Sequence, residues 1–371
     1  MSNVTNTKLG EITLSIFDGK HGDCENLPGS GCYFISVKDL REYDIDYSEA
    51  REITYSDFAQ NYVRTNLENG DTIYANTGDT IGKSLFVKDN PLASKTSFQK
   101  SVAILKPNTK FVDPRYLYYL LRYETPRLRQ ASTGSGQKNL LLSTMRDFSL
   151  SIHDRETQER IVAVLGCIDD KIRCNNRIND NLQQQMFTIY ESMMANAAKG
   201  QIAGHYIKAV SITEVITGKE DANFASVDGE YKFFTCSNVP LRCNQPAFDS
   251  ASILIAGNGD FNVKHYTGKF NAYQRTYVLT PPREYYALLY LASLYRINSF
   301  KSASAGSIVK FITKGDVENI PLFIPDNKQY LDQLNSLVYM QEHISEENEK
   351  LVQMRDWLLP MLMNGQATVS D

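Results

Sequence analysis

Two stretches of this chain carry the same long heptad seam, and few folds can accommodate that. In the first, apolar or amide residues recur at unbroken 3-4 spacing: Ile161, Leu165, Ile168, Ile172, Asn175, Asn179, Leu182, Met186, Ile189 and Met193. Moving forward 169 residues reproduces the phase at Tyr330, Leu334, Leu337, Gln341, Ile344, Asn348, Leu351, Arg355, Leu358 and Leu362. Such spacing predicts an α-helix with one buried stripe. Roughly forty helical residues make a rod of about 60 Å, longer than a small domain is wide, so each stripe needs a partner. Each helix is the other's obvious partner. An antiparallel pairing is expected, with the Ile161–Ile172 end beside Leu351–Leu362. Asn175 and Asn179, facing Asn348 and Gln341, would form a polar layer midway, a device that lowers stability but fixes register.

The segments before the two helices also match. Residues 131–154 align without a gap to 303–326, pairing Ser132 with Ser304, Gly134 with Gly306, Ser135 with Ser307, Lys138 with Lys310, Leu150 with Leu322 and Asp154 with Asp326. Upstream, Phe98-Gln-Lys-Ser pairs with Tyr273-Gln-Arg-Thr at a shift of 175, Ala75–Asp79 with Ala256–Asp260 at 181, and Gly19-Lys20 with Gly218-Lys219 at 199. The growing shift means that loops differ in length while the framework holds. The chain is therefore domain, helix, domain, helix, a duplicated unit of about 170 to 200 residues.

Within the first copy, residues 9–20 alternate as a strand ending at Asp18-Gly19, and Cys32–Val37 is a second strand. Gly70–Ala75 and Ile81–Val87 flank the turn formers Asn76–Asp79, which predicts a hairpin with a polar tip. Phe98–Leu105 is a further strand and Asp113–Arg129 has helical spacing. The glycine-rich loop Gly134–Asn139 and a closing strand, Phe148–Ile152, lead into the long helix. The fold class is α+β: two strand-rich mixed α/β domains separated by a pair of long antiparallel coiled-coil helices, with a pseudo-two-fold internal repeat. The expected boundaries are residues 1–155 for the first domain, 156–198 for the first helix, 199–326 for the second domain and 327–371 for the second helix.

The 371 residues are 42% hydrophobic and 22% charged, as in ordinary soluble proteins. No apolar run reaches the length of a membrane span, and the polar start MSNVTNTKLGE has no signal-peptide core. A cytoplasmic location follows, with no membrane partner. Six cysteines without CxxC pairs, and five histidines, show neither zinc spacing nor a disulfide framework, so reduced thiols are expected. Charge is unevenly spread. Residues 327–371 carry three basic against seven acidic side chains, whereas 105–155 carry nine basic against four acidic, a possible local basic face.

Motifs for catalysis are weak. Asp113-Pro-Arg-Tyr116 approximates the Asp-Pro-Pro-Tyr of amino-methyltransferases, but Arg115 replaces the second proline and no glycine-rich cofactor loop follows a suitable strand. Gly78-Asp-Thr-Ile-Gly82-Lys83-Ser84 has three residues between its glycines where a phosphate-binding loop needs four. The histidines form no triad. The chain is expected to catalyse nothing itself and to need no cofactor and no metal.

The ordered set GDTIYANTGDTIGK, TGSGQKNLLLSTMRDFSLSI, RETQERIVAVLGCIDDKIRCNNRINDNLQQQMF and KLVQMRDWLLPMLMNG resembles the specificity subunit of type I restriction-modification systems, over essentially the full length. The family often has a proline pair where the closing strand enters the first helix. Here Ser151-Ile-His-Asp-Arg155 stands there, while the second copy keeps Pro321 and Pro325. The resemblance implies two target-recognition domains, each reading one half of a split double-stranded DNA sequence, with the helices setting the gap. It also implies two docked methyltransferase (M) subunits and restriction (R) subunits that join them.

Bases are read by Arg, Lys, Asn and Gln side chains, while other basic and hydroxyl groups hold phosphate. Loop residues of those types are the DNA-binding candidates: Lys20, Asn76, Thr77, Lys83, Gln99, Lys100, Gln137, Lys138 and Asn139 in the first copy, and Asn258, Lys264, Gln274, Arg275, Ser307 and Lys310 in the second. Asn76 and Asn258 are equally good turn formers, and Lys138 and Lys310, common to both copies, suit phosphate better than base choice. The competing reading is a non-enzymatic coiled-coil scaffold with two protein-binding ends, which would not retard DNA.

Overall fold

A computed structural model describes residues 4–134, 138–259, 261–303 and 311–367. The chain divides into two compact units, residues 1–173 with 350–371 and residues 174–349, so each unit takes part of both long helices.

The first unit runs β1 (Val4–Lys8), β2 (Thr13–Asp18), β3 (Tyr33–Ile35), β4 (Arg51–Glu52), α1 (Tyr55–Thr65), β5 (Thr72–Ala75), β6 (Ser84–Phe86), β7 (Thr96–Phe98), β8 (Val102–Pro107), α2 (Pro114–Gln130), α3 (Leu142–Asp147) and β9 (Ser149–His153), and then enters α4 (Arg155–Ala198). The second runs β10 (Gly204–Lys208), β11 (Val215–Thr217), β12 (Tyr231–Phe234), β13 (Leu241–Cys243), β14 (Phe248–Ala256), β15 (Val263–Ala272), β16 (Thr276–Leu279), α5 (Tyr286–Ala303), α6 (Lys314–Glu318) and β17 (Pro321–Pro325), and then enters α7 (Gln329–Met363).

Sheet registers show that the same plan is used twice. The first unit has sheets β2-β8-β5-β6 and β4-β3-β7, the second one sheet of six strands, β11-β16-β14-β15-β12-β13. The difference lies in one strand. β15 is a single ten-residue strand whose start pairs with β14 and whose end runs parallel to β12. In the first unit those two jobs fall to β6 and β7, and the interruption splits the sheet. Both units also close with a strand pair, β1-β9 and β10-β17, whose registers differ by 172 on the closing strand, as the alignment predicts.

One alignment needs correction. The ladders pair Ala75 with Val102 and Ala256 with Thr276, and parallel partners are Ile35 with Phe98 and Phe234 with Ala272. The shift at this strand is therefore 174, not 175, and Gln99 matches Tyr273 rather than Gln274. Identity of a Gln in both copies misled the alignment by one residue; backbone pairing decides it. The expected single strand Phe98–Leu105 is also two strands, β7 and β8, broken at residues 99–101.

Helix α2 shows what Asp113-Pro-Arg-Tyr116 is for. The Asp113 carboxylate accepts from the Arg115 and Tyr116 amides, and Pro114 fills the first turn, a helix N-cap. Likewise Gly78–Thr80 is a tight turn whose flanking amides are spent on Lys138, Gly78 and Thr80 carbonyls, leaving no phosphate cradle. At the non-proline position before α4, His153 is buried and its amide donates to Tyr116 Oη, a bond that Pro325, its counterpart, cannot make.

The seam residues Ile161, Leu165, Ile168, Ile172, Asn175, Leu182, Met186 and Met193 are all buried. In each unit the two helices pair antiparallel. In the first, Ile161 and Leu165 share a core with Leu359 and Leu362, and Asp169 bonds Arg355. In the second, Asn175 bonds Asn348, Asn179 bonds Ser345 and Gln183 bonds Gln341. A knob from one helix thus descends as its partner ascends, covering stripes that water would otherwise face. The six cysteines are free thiols. No helix among the described residues is long and apolar enough to cross a membrane.

Candidate nucleic-acid interface

Four segments of the first unit meet at one end of its main sheet. The Gly19 amide donates to Val102 O (3.1 Å) and Lys20 N to Phe98 O (2.9 Å), which brings residues 18–20 against 98–102. Asn76 N donates to Ser101 O (3.1 Å), Gly78 N to Lys138 O (2.7 Å) and Leu140 N to Asn76 O (2.8 Å), which adds the 76–80 and 138–140 segments. Gly19 is required by this approach, because a Cβ there would stand 1.9 Å from Phe98 O.

The second unit builds the same knot. Gly218 N donates to Thr276 O (3.1 Å), Gly257 N to Arg275 O (2.8 Å) and Ile312 N to Gly257 O (2.9 Å), and a Cβ on Gly218 would stand 2.0 Å from Ala272 O. At equivalent places the chemistry differs. Gly19 does match Gly218, but the position of Lys20, bridged to Gln99, is held by Glu220, bridged to Tyr273, and not by Lys219 as the sequence shift of 199 expects. Lys100, whose amide donates to Lys20 O, is replaced by Gln274, whose amide donates to Glu220 O. The framework is common and the outward side chains are not.

Among the sequence candidates, Lys100, Lys138, Asn139, Gln274 and Arg275 are exposed at this knot, and Thr77, Gln99 and Asn258 are half-buried. Asn76 is 3% exposed, and with its amide turned to donate it reaches Ser101 O at 2.7 Å and Lys100 O at 3.2 Å. It holds the loops together and faces no ligand. Lys20 is paired with Asp57 at 2.7 Å, a bond that raises the lysine pKa and lowers that of the carboxyl. The Lys83 ammonium donates to Val37 O at 3.1 Å, and burial pushes its pKa down. Lys264 leaves the knot altogether: it lies in β15, its ammonium against Thr235 O and Asn262 Oδ1, and burial lowers its pKa to about 8. Gln137, Ser307 and Lys310 lie outside the described residues.

One element escaped sequence reading. Helix α1 is capped by Thr54, which accepts from the Asp57 amide, and ends at Asn66 in the left-handed conformation. Asp57 ties it to Lys20, so α1 adjoins the loop knot, with Tyr55 72% and Val63 83% exposed. The signal was present in Thr54-x-x-Asp57 and in buried Phe58, Asn61 and Thr65 at helical spacing. Among the described residues no cluster of three or more His, Cys, Asp or Glu side chains is placed to hold a metal.

Comparison with known proteins agrees with this architecture. The family described as type I restriction modification DNA specificity domain matches residues 22–184 and again residues 208–352. The type I restriction enzyme EcoDI specificity subunit of Escherichia coli is 39% identical over 171 residues, 43% of this chain and only 38% of that one. The MjaIX specificity subunit of Methanocaldococcus jannaschii is 22% identical over 92% of this chain and 88% of its own length. In fold, the chain is similar to the crystal structure of a type I restriction-modification S subunit from M. genitalium, with TM-score 0.55 and 17% identity over 97% of this chain and 96% of that one. With both of its repeats matched by the family pattern, the chain belongs to the family of type I restriction modification DNA specificity domains.

Proposed function

We propose that this chain is the DNA-specificity subunit of a type I restriction-modification complex, itself non-catalytic and acting in the cytoplasm. Residues 1–155 and 199–326 each read one half of a bipartite duplex sequence. The helices at 156–198 and 327–371 set the gap between the half-sites and carry the docking of two methyltransferase subunits, which restriction subunits join. The observation that supports this reading is the repeated loop knot. Two copies of one backbone framework present different outward residues, Lys100 and Asn139 in one where Gln274 and Phe311 stand in the other. A reader of two unlike half-sites requires that combination, since polar side chains on base edges give sequence choice while the backbone only positions them.

The test is to map methylated positions across a host genome with and without the gene, and to measure duplex retardation by the chain with its methyltransferase partner over a salt series. A gene-dependent split motif and salt-sensitive binding are expected. Absence of both would favour a protein-binding scaffold.

A further inference from the structure

Helix α1 belongs to one repeat only. β4 pairs antiparallel with β3 as β13 does with β12, and α1 fills the connection from β4 to β5, whereas residues 244–247 alone join β13 to β14. The extra helix is tied to the loop knot near both of its ends. Asp57 in its first turn pairs with Lys20 at 2.7 Å, and Arg64 in its last turn pairs with Asp18 at 2.5 Å. It therefore runs alongside residues 18–20, the segment against which Lys100 is held by its amide bond to Lys20 O.

Helical periodicity fixes what α1 shows to solvent. Phe58, Asn61 and Thr65 are buried, and the opposite face holds Ser56, Gln60 and Val63, all exposed. Asp57 and Arg64 flank that face on the side of the knot, and Gln60 lies between Ser56 and this flank, turned toward the knot. A solvated helix face is ordinarily rich in charge. Here Tyr55, Ser56, Ala59, Gln60 and Val63 carry none, and Val63 is 83% exposed. The carboxylates on the flank, Asp57 and Asp18, are each paired with a cation. Among the described residues no hydrogen bond occupies the Ser56 or Gln60 side chain. An α-helix fits the major groove of B-DNA, and a glutamine amide bonds the N6 and N7 edge of adenine. We propose that α1 is a recognition helix lying in the major groove of the half-site read by the first unit, where Gln60 bonds an adenine edge. This rests on the reading of the chain as a DNA-specificity subunit and goes further. Lys100 and Lys138 on the adjoining loops hold the phosphates, Ser56 and Val63 face the groove floor beside Gln60, and the two half-sites are read unequally, one by loops and a helix and the other by loops alone.

The test uses the full chain with its methyltransferase partner, mapping the methylated motif of the parent and then those of Gln60→Ala and Ser56→Glu. Both positions are exposed, and a glutamate in the first turn of a helix suits its dipole, so lost binding is not lost folding. Gln60→Ala is expected to relax one A·T position in one half of the motif, with discrimination there falling about tenfold or more and the other half unchanged. Ser56→Glu sets a carboxylate in the groove between phosphates, and retardation of a duplex bearing the parent motif is expected to weaken about tenfold or more. A motif kept in full by Gln60→Ala overturns the proposal. So does a duplex affinity within about twofold of the parent in Ser56→Glu, the result expected if this face serves a protein partner. A parent chain that directs no split motif would overturn the specificity-subunit reading and this proposal together, whereas a split motif unaltered by the variants removes only α1.

Discussion

The Asn175 side-chain amide donates to the Asn348 side-chain oxygen at 2.8 Å and to Glu347 Oε2 at 2.7 Å, while the Asn348 amide donates to Asn176 Oδ1 at 2.9 Å. Asn175 is 1% exposed, so its own two bonds form with little competition from water. Asn175→Ala leaves two half-buried acceptors without this donor and should cost about 1 kcal/mol, read from urea unfolding. Replacing Asn175 and Asn348 together by Leu should recover most of that stability but loosen the register. Oxidative crosslinking in an Asn179→Cys, Ser345→Cys background, where the parent side chains are 3.2 Å apart, should then become slower and less selective.

Arg355 is the largest fully buried side chain of the described residues, 2% exposed. Its guanidinium bonds Asp169 (3.2 Å), Glu42 (2.7 Å) and the Tyr43 hydroxyl, and Asp169 also accepts from Tyr119 Oη at 2.6 Å. Arg355→Met strands Asp169 and should destabilise the first unit by about 3–5 kcal/mol. Arg355→Met with Asp169→Leu should lose less than the single change. A double variant at least as damaged as Arg355→Met would show that the ion pair is not what Asp169 needs.

Asp170 is partly desolvated, which pushes its carboxyl upward, yet bonds from Arg115 and Lys88 outweigh this and hold its pKa below the ordinary carboxylate range. A depressed carboxyl stabilises the fold fully above its unfolded value and loses that contribution as pH falls through the folded one. Stability of the first unit should therefore drop below about pH 4, less steeply in Asp170→Asn. Acid titration by circular dichroism measures this, and identical acid profiles for the two proteins would contradict it.

Gly19 and Gly218 allow two strand ends to cross. Either residue changed to Ala forces a methyl into a backbone carbonyl 1.9 or 2.0 Å away, and the overpacking should cost about 1–3 kcal/mol. The loop knot is built on this crossing, so duplex binding should weaken as well. Thermal unfolding and retardation assays on Gly19→Ala report both, and Gly315→Ala, whose new methyl meets nothing closer than 3.8 Å, is the control.

Lys100 and Lys138 are exposed on the knot. Each changed to Ala should reduce the slope of log affinity against log salt by about one, without changing the methylated motif. Asn76→Ala should behave oppositely, lowering stability before it alters binding, because its amide is spent on the Ser101 carbonyl. A Lys100→Ala, Lys138→Ala protein with the parent salt slope would remove these loops from the interface.

The heptad seam and the gapless match of 131–154 with 303–326 were legible because they rest on local spacing. A helix is a periodic object, so burial of Ile161, Leu165 and Met186 is written in their intervals, and a duplicated strand keeps its residues in order. The same locality made the Asp113 cap and the Gly78 turn readable as motifs, although only the bonds made by their amides separate a cap or a hairpin tip from a catalytic loop. What the sequence by itself determined, then, is the plan: two repeats, each ending in a long helix with an apolar stripe and a polar middle. Tertiary structure decided everything that depends on residues distant in the chain. Gln99 matches Tyr273 and not Gln274 because ladder hydrogen bonds, rather than residue identity, set strand register. Asn76 turned inward, and Lys264 became a sheet residue with a depressed pKa, because burial is fixed by what packs above a position and one-dimensional spacing carries no record of it. The junction of sheet and long helix closed around Lys88 and Arg115 in the first unit while its twin in the second stayed open beside Thr267, since a cavity is the volume left when several separated segments converge, and no single segment encodes it.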